Sequence, residues 1–183
     1  MNDRVHYTAC PVCGSEDIKI VLQAKDHTVS EEIFSIAACT FCKLQFTQDV
    51  PSAASIDPYY KSEDYISHTN TSKGIINRLY QFARKRTLTN KRKLIEKSTG
   101  LKNGVLLDVG SGVGSFVHEM KHAGWSVTGL EPDPGARKIA QEFYAVSLDG
   151  MDKFYKLVEN HFDAITLWHV LEHVHDLAAY TEQ

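Results

Sequence analysis

Residues 106–116 read LLDVGSGVGSF: an apolar run that drops into an aspartate, then three glycines spaced by single small residues, then the start of a helix-like pattern. An apolar run, a glycine turn and a helix, repeated, make the grammar of a parallel α/β sheet. From Leu101 onward the chain keeps to it. The pattern predicts strands over Val105–Val109, Ser126–Leu130, Ala145–Leu148 and Asp163–Trp168. It predicts helices over Ser115–Ala123, Pro134–Phe143 and Val170–Tyr180.

A turn so stripped of side chains lets the backbone bend sharply and approach a ligand closely, with the free N–H groups of the next helix facing that ligand. Gly110, Ser111, Gly112 and Gly114 form it. A dinucleotide-binding turn, G-x-G-x-x-G/A, places its last small residue at position 115, which here is Ser115. Asp108 argues further against pyrophosphate, because a carboxylate at the strand end repels it. The same carboxylate suits a ligand with a positive charge, such as the ammonium of a methionine moiety. Glu131, in VTGLEPD at the end of the next strand, is positioned to accept hydrogen bonds from ribose hydroxyls. That residue fits either cofactor and indicates a nucleoside without choosing between them.

All four cysteines lie in two pairs, CPVCG with Cys10 and Cys13, and CTFCK with Cys39 and Cys42. Each pair sets two thiolates across a tight turn, and two such knuckles close a tetrahedral Zn²⁺ site with no open position for substrate water. Redox pairs are the alternative reading. His27, in the intervening segment, is a substitute ligand or a solvated loop histidine. Zinc in this arrangement holds a fold and does no chemistry.

LLDVGSGVGSF, then GLEPD, then FDAITLWHVLEHV resembles motifs I, II and IV of the class I S-adenosylmethionine-dependent methyltransferases. The CPVCG and CTFCK pairs and the tyrosine-rich stretch after them resemble the zinc-ribbon extension of a subgroup, some members of which act on sugars or sugar nucleotides. The resemblance implies a Rossmann-like α/β domain whose four strands order as 3-2-1-4, preceded by the ribbon and a basic helical segment. Asp108, Gly110, Ser111, Gly112 and Gly114 would line the methionine side of S-adenosylmethionine, and Glu131 would hold the ribose. Pro132 and Asp133 would lie beside the adenine. Asp149, with Asp152 as its rival, would accept from the adenine amino group. Trp168 and His169 would border the methyl group and the substrate.

WHVLEHVHD puts His169, Glu172 and His173 at the spacing of one helical face, where they could share an ion. H-x-x-E-H is also a protease pattern, but that motif belongs inside a long helix and here it directly follows a strand. Related O-methyltransferases use Glu-x-x-Glu-His with a divalent ion, and His169 replaces the first of those glutamates. His169 is the candidate general base, since imidazole titrates near neutrality.

Residues 1–50 thus read as a zinc ribbon, 51–100 as a tyrosine-rich linker and basic helix, and 101–183 as the N-terminal part of the methyltransferase domain. In the basic segment GIINRLYQFARKRTLTNKRKLIEKST, Glu96 is the sole acid and Ile75, Ile76, Leu79, Phe82, Ala83, Leu94 and Ile95 supply an interrupted apolar stripe. Its cations form a solvated face or meet an anionic substrate. Tyr59, Tyr60 and Tyr65 are a substrate lid or ribbon packing.

A net charge of -3 makes no global case for nucleic acid, and 43% hydrophobic with 23% charged residues is a globular composition. MNDRVHYTAC lacks a signal-peptide pattern and no run spans a membrane, which places the chain in the cytoplasm. Strands expected after LAAYTEQ from the resemblance make this a truncated form, with strand four an open edge available for self-association. The expected activity is methyl transfer to a small-molecule acceptor, sugar-type or otherwise anionic. The alternatives are an NAD-type oxidoreductase and a non-catalytic zinc-ribbon, cofactor-binding module.

Overall fold

The computed structural model describes residues 3–60 and 75–183. The chain divides into two compact units, Met1–Ser72 with Val174–Gln183, and Lys73–His173.

In the first unit, runs rich in Ile, Val and Phe form an antiparallel meander of β2 (Ile18–Lys25), β3 (Ile33–Cys39) and β4 (Gln45–Thr47), and β1 (Arg4–Val5) pairs with β5 (Val50–Pro51). The β2–β3 turn is organised by Asp26. Its carboxylate accepts the hydroxyl of Thr28 and the N–H groups of Thr28, Val29 and Ser30, which holds its carboxyl far below the usual carboxylate range. Gln48 is buried and exchanges two hydrogen bonds of 2.8 Å with the backbone of Tyr7. Beside it, Tyr7 Oη donates to the His175 carbonyl at 3.2 Å. Tyr59 packs edge-on against Phe34, and its hydroxyl donates to Glu32 at 3.0 Å. Tyr65 and the side chain of Tyr60 lie outside the described residues.

The second unit is a parallel sheet, β6 (Val105–Val109), β7 (Ser126–Leu130) and β8 (Ala164–Thr166), in the order β7-β6-β8. Asp108 stands in register with Gly129 on one side and Thr166 on the other. A single parallel bridge, Leu130 to Asp149, adds the next chain segment beyond β7. The α/β architecture and the order 3-2-1-4 hold, but the expected strand at Ala145–Leu148 is reduced to that bridge. Val146 and Leu148 still turn inward with Ser147 exposed between them, so the alternation is real without a ladder.

Among the described residues of this unit the α-helices are α1 (Ile75–Thr99), α2 (Ser115–His122) and α3 (Pro134–Tyr144). Ile95 of α1 joins Leu106, Phe116, Met120 and Trp125 in the core, whereas Phe82 and Leu94 face solvent, so the apolar stripe is narrower than the sequence suggests. Ions complete the docking. Arg92 donates to Glu96 at 2.9 Å and to Glu119 on α2 at 3.1 Å, and Lys102 donates to Glu96 at 3.2 Å. Glu96 is buried, yet the two cations outweigh burial and hold its carboxyl below the ordinary value.

The helix expected over Val170–Tyr180 is broken into a 3-10 turn at Leu171–His173 and a short α4 (Leu177–Glu182). Asp176 caps α4 through the Ala179 N–H at 3.2 Å, restarting what the turn had ended. Among the described residues, no helix is long and apolar enough to cross a membrane.

Candidate functional site

β6 delivers Asp108 to the C-terminal end of the sheet and the chain then doubles back at once. The N–H groups of Gly110 and Ser111 both donate to the Leu130 carbonyl at 2.8 and 2.9 Å, and Gly114 N–H closes the turn onto Ser111 at 2.9 Å. Gly110, Gly112 and Gly114 all have positive φ. The latter two are glycine for different reasons. At Gly114, φ 76°, a Cβ would come within 2.9 Å of the Ala140 Cβ, so the position serves the packing of α2 on α3. At Gly112, φ 54°, a Cβ would meet nothing within 4 Å. Open space lies over Gly112, and it is the glycine that a ligand can approach.

Gly112→Ala and Gly114→Ala should therefore separate. The first is expected to cost about 1 kcal/mol of stability from backbone strain alone and to weaken at least tenfold the binding of any ligand seated over the loop. The second adds overpacking and should cost roughly 2–4 kcal/mol. Thermal unfolding of the two variants distinguishes them.

Glu131 ties the loop to the next strand. Its two carboxylate oxygens accept the N–H of Gly112 at 2.7 Å and of Asp133 at 3.0 Å, and the residue is buried. Each oxygen keeps a lone pair for a further donor. Pro132 opens the turn into α3, and Asp133 caps that helix through Gly135 N–H at 2.8 Å. Arg137, which sequence reasoning missed, reaches back to the carbonyls of Glu131 and Pro132 at 2.5 and 2.7 Å. Asp149 lies beside Glu131 at the sheet end, since Glu131 N–H donates to its carbonyl at 2.9 Å, and its carboxylate is paired with Lys153. Asp152 sits in the 3-10 turn beyond it, close against Gly150.

Asp108 is 2% exposed. Its Oδ1 accepts the Thr166 hydroxyl at 2.7 Å, and the Ser111 hydroxyl donates to its carbonyl at 2.9 Å. Burial pushes its carboxyl up to about 6, against the pull of the Thr166 hydroxyl and the Lys91 ammonium. Asp108 is thus a buried acid that its neighbours compensate only in part.

Phe116 and Trp168 meet edge-to-face at 5.6 Å, and Lys91 Nζ lies 4.3 Å from the Trp168 ring centroid. The indole Nε1 of Trp168 is buried with no hydrogen-bond partner among the described residues. His169 follows with φ 59°, a left-handed conformation unusual for a histidine, and an exposed ring whose Nδ1 is 3.4 Å from Glu172 Oε1. Because His169 precedes the 3-10 turn and is not on a helix with Glu172 and His173, the three do not converge on a shared ion position. Among the described residues the four cysteines form the metal-competent group.

Those cysteines lie on two matching knuckles. Gly14 N–H returns to the Cys10 carbonyl at 3.0 Å, and Lys43 N–H to the Cys39 carbonyl at 3.1 Å. Cys10 Sγ is 3.6 Å from Cys42 Sγ, Cys13 Sγ is 3.6 Å from Cys39 Sγ, and all four sulfurs lie within 4.8 Å of one another. Four thiolates about 2.3 Å from one ion form a tetrahedron with edges of about 3.8 Å, so the spacing is compatible with a tetrahedral metal. N–H groups, chiefly that of Cys42, draw the Cys39 thiol down, whereas at Cys42 the Leu44 N–H is outweighed by burial and the neighbouring thiols, which push that thiol up, as expected of four sulfurs crowded together. His27 is not in the cluster.

Residues 78–183 match a protein family described as "Methyltransferase domain". No curated protein matches the chain. Solved structures similar to it include two described as methyltransferases. One is the S-adenosylmethionine-bound CalS10, an amino pentose methyltransferase from Micromonospora echinaspora, with 24% identity, a TM-score of 0.41, and coverage of 57% of this chain and 46% of that one. The other is a protein from Staphylococcus aureus assigned as a caffeoyl-CoA O-methyltransferase, with 20% identity, a TM-score of 0.37 and 56% coverage of each chain. The chain thus spans about half the length of these structures.

Proposed function

The chain belongs to the methyltransferase-domain family, and from that footing we propose that it binds S-adenosylmethionine over Gly112 and transfers the methyl group to a small-molecule acceptor. The buried Asp108, facing a loop whose middle glycine is open, carries the reading: it favours a cationic ligand and opposes a pyrophosphate. Asp108, Gly110, Ser111, Gly112 and Gly114 would hold the amino-acid end. Glu131 would take the ribose with its remaining lone pairs, Pro132 and Asp149 would flank the adenine, and Trp168 would border the methyl group. When bound, the cofactor supplies an electrophilic methyl group on a sulfonium, a leaving group that needs no protonation.

The protein's own work is then orientation and removal of one proton from the acceptor. We assign the proton to His169. The Glu172 carboxylate beside Nδ1 favours a proton on that nitrogen, which leaves Nε2 as the base. His169→Asn should lower kcat about 100-fold while cofactor affinity stays unchanged. A sugar-type or other anionic acceptor is part of the proposal, as is zinc on Cys10, Cys13, Cys39 and Cys42, in the structural role of a closed four-thiolate site.

Incubating the protein with methyl-labelled S-adenosylmethionine and a panel of sugar, sugar-phosphate and phenolic acceptors tests this. Labelled product with matching S-adenosylhomocysteine is the expected result. Binding of NAD in place of S-adenosylmethionine would support an oxidoreductase instead.

A further inference from the structure

Lys91 differs from the other described cations near the glycine loop. Arg137 is committed to two backbone carbonyls, Lys153 to Asp149, and Arg92, one residue further along α1, to Glu96 and Glu119. Lys91 is half-buried and in no ion pair among the described residues. Its ammonium instead rests on aromatic faces, 4.3 Å from the Trp168 centroid and 6.0 Å from that of Phe116. Burial depresses its basicity, and the Asp108 charge offsets part of that. A partly desolvated ammonium without a contacting counter-ion is costly, and cation–π contacts recover only part of the cost. The unit therefore holds one buried acid and one half-buried cation that act on each other electrostatically without an ion pair.

An amino-acid end group is a zwitterion, and its recognition requires both signs. We infer that Lys91 is the anchor for the α-carboxylate of the cofactor's amino-acid group, acting opposite Asp108 on the ammonium. The assignment rests on the cofactor reading above and adds to it a residue from the helix before the glycine loop. Trp168 supplies the seat that keeps the Lys91 ammonium in place before the carboxylate arrives. An arginine could make the same contact with a fork in place of a point charge, whereas a neutral side chain of equal length could not.

The test compares two ligands that share the nucleoside. S-adenosylhomocysteine carries the amino-acid group and 5′-methylthioadenosine lacks it. Calorimetric titration of the full chain as wild type, Lys91→Met and Lys91→Arg should show Lys91→Met weakening S-adenosylhomocysteine by roughly 10- to 100-fold. Methylthioadenosine affinity should stay within about twofold, as the nucleoside contacts are untouched, and Lys91→Arg should restore most of the loss. Equal weakening of both ligands would assign Lys91 a packing role and overturn the proposal. So would S-adenosylhomocysteine binding that Lys91→Met leaves unchanged or makes tighter, the latter meaning that Lys91 obstructs the site. Wild-type protein that binds neither ligand would overturn the cofactor reading together with this assignment.

Discussion

Replacing Asp108 with asparagine is expected to weaken S-adenosylmethionine binding by roughly 10- to 100-fold while improving the stability of the unliganded protein relative to wild type as pH rises. Both effects come from one carboxyl. In the fold its pKa is raised from an ordinary 3.8 to about 6, chiefly by burial. The folded state therefore holds the proton more tightly than the unfolded chain. That contribution is complete below about pH 4 and is lost as pH climbs through 6, leaving an ionised, desolvated group at neutral pH. Asparagine has no such group. Between pH 4 and pH 7 the stability difference should shift in favour of the variant by about 2 kcal/mol, read from denaturant midpoints at several pH values. A parallel pH profile for the two proteins would count against it. The linkage also predicts that wild-type affinity falls below pH 6, since a protonated Asp108 must lose its proton to meet a cation, and that Asp108→Asn removes this dependence.

Loss of the metal should have the second large effect. A closed four-thiolate zinc site contributes on the order of 10 kcal/mol in small domains, more than most domains have in total. Among the described residues of the cysteine-bearing unit the buried apolar side chains are few, and β2 is almost wholly exposed, with Ile20 at 53% and Leu22 at 59%. Chelation, or Cys39→Ser at a buried ligand, should abolish protected amides throughout β2, β3 and β4 while those of β6 and β7 remain. Metal analysis should return one zinc per chain. Retained protection in metal-free protein would show that the hairpin stands on its own.

What the sequence made legible was local. The strand, the glycine turn and Asp108 lie within a dozen residues of one another, and the two cysteine pairs each occupy one turn. The places of Thr166 and Arg137 were not legible for the opposite reason, and Lys91 was legible only as one cation of a basic run. Thr166 reaches Asp108 only because β8 lies beside β6, and Lys91 meets Trp168 only through the tertiary fold. No spacing rule connects such positions. The run from Val170 to Tyr180 looks helical because Val170, Leu171 and Val174 recur at helical intervals. Its first residue is used elsewhere, however: a Gly110 Cβ would lie 2.5 Å from Val170 Cγ2, so this segment closes against the loop. The left-handed backbone at His169 permits that closure and prevents a helix from starting there. The basic segment showed the same kind of gap. Composition suggested a solvated face, but tertiary contacts commit Arg92 and Lys91 inward.

The central claim is that the loop at Gly110–Gly114 receives S-adenosylmethionine and not a dinucleotide. Calorimetric titration of the full chain with S-adenosylmethionine and, separately, with NAD tests it most directly. Heat with one-to-one stoichiometry is expected for S-adenosylmethionine, with affinity at least tenfold weaker in Gly112→Ala, and no heat for NAD. Saturable binding of NAD with none of S-adenosylmethionine would contradict it.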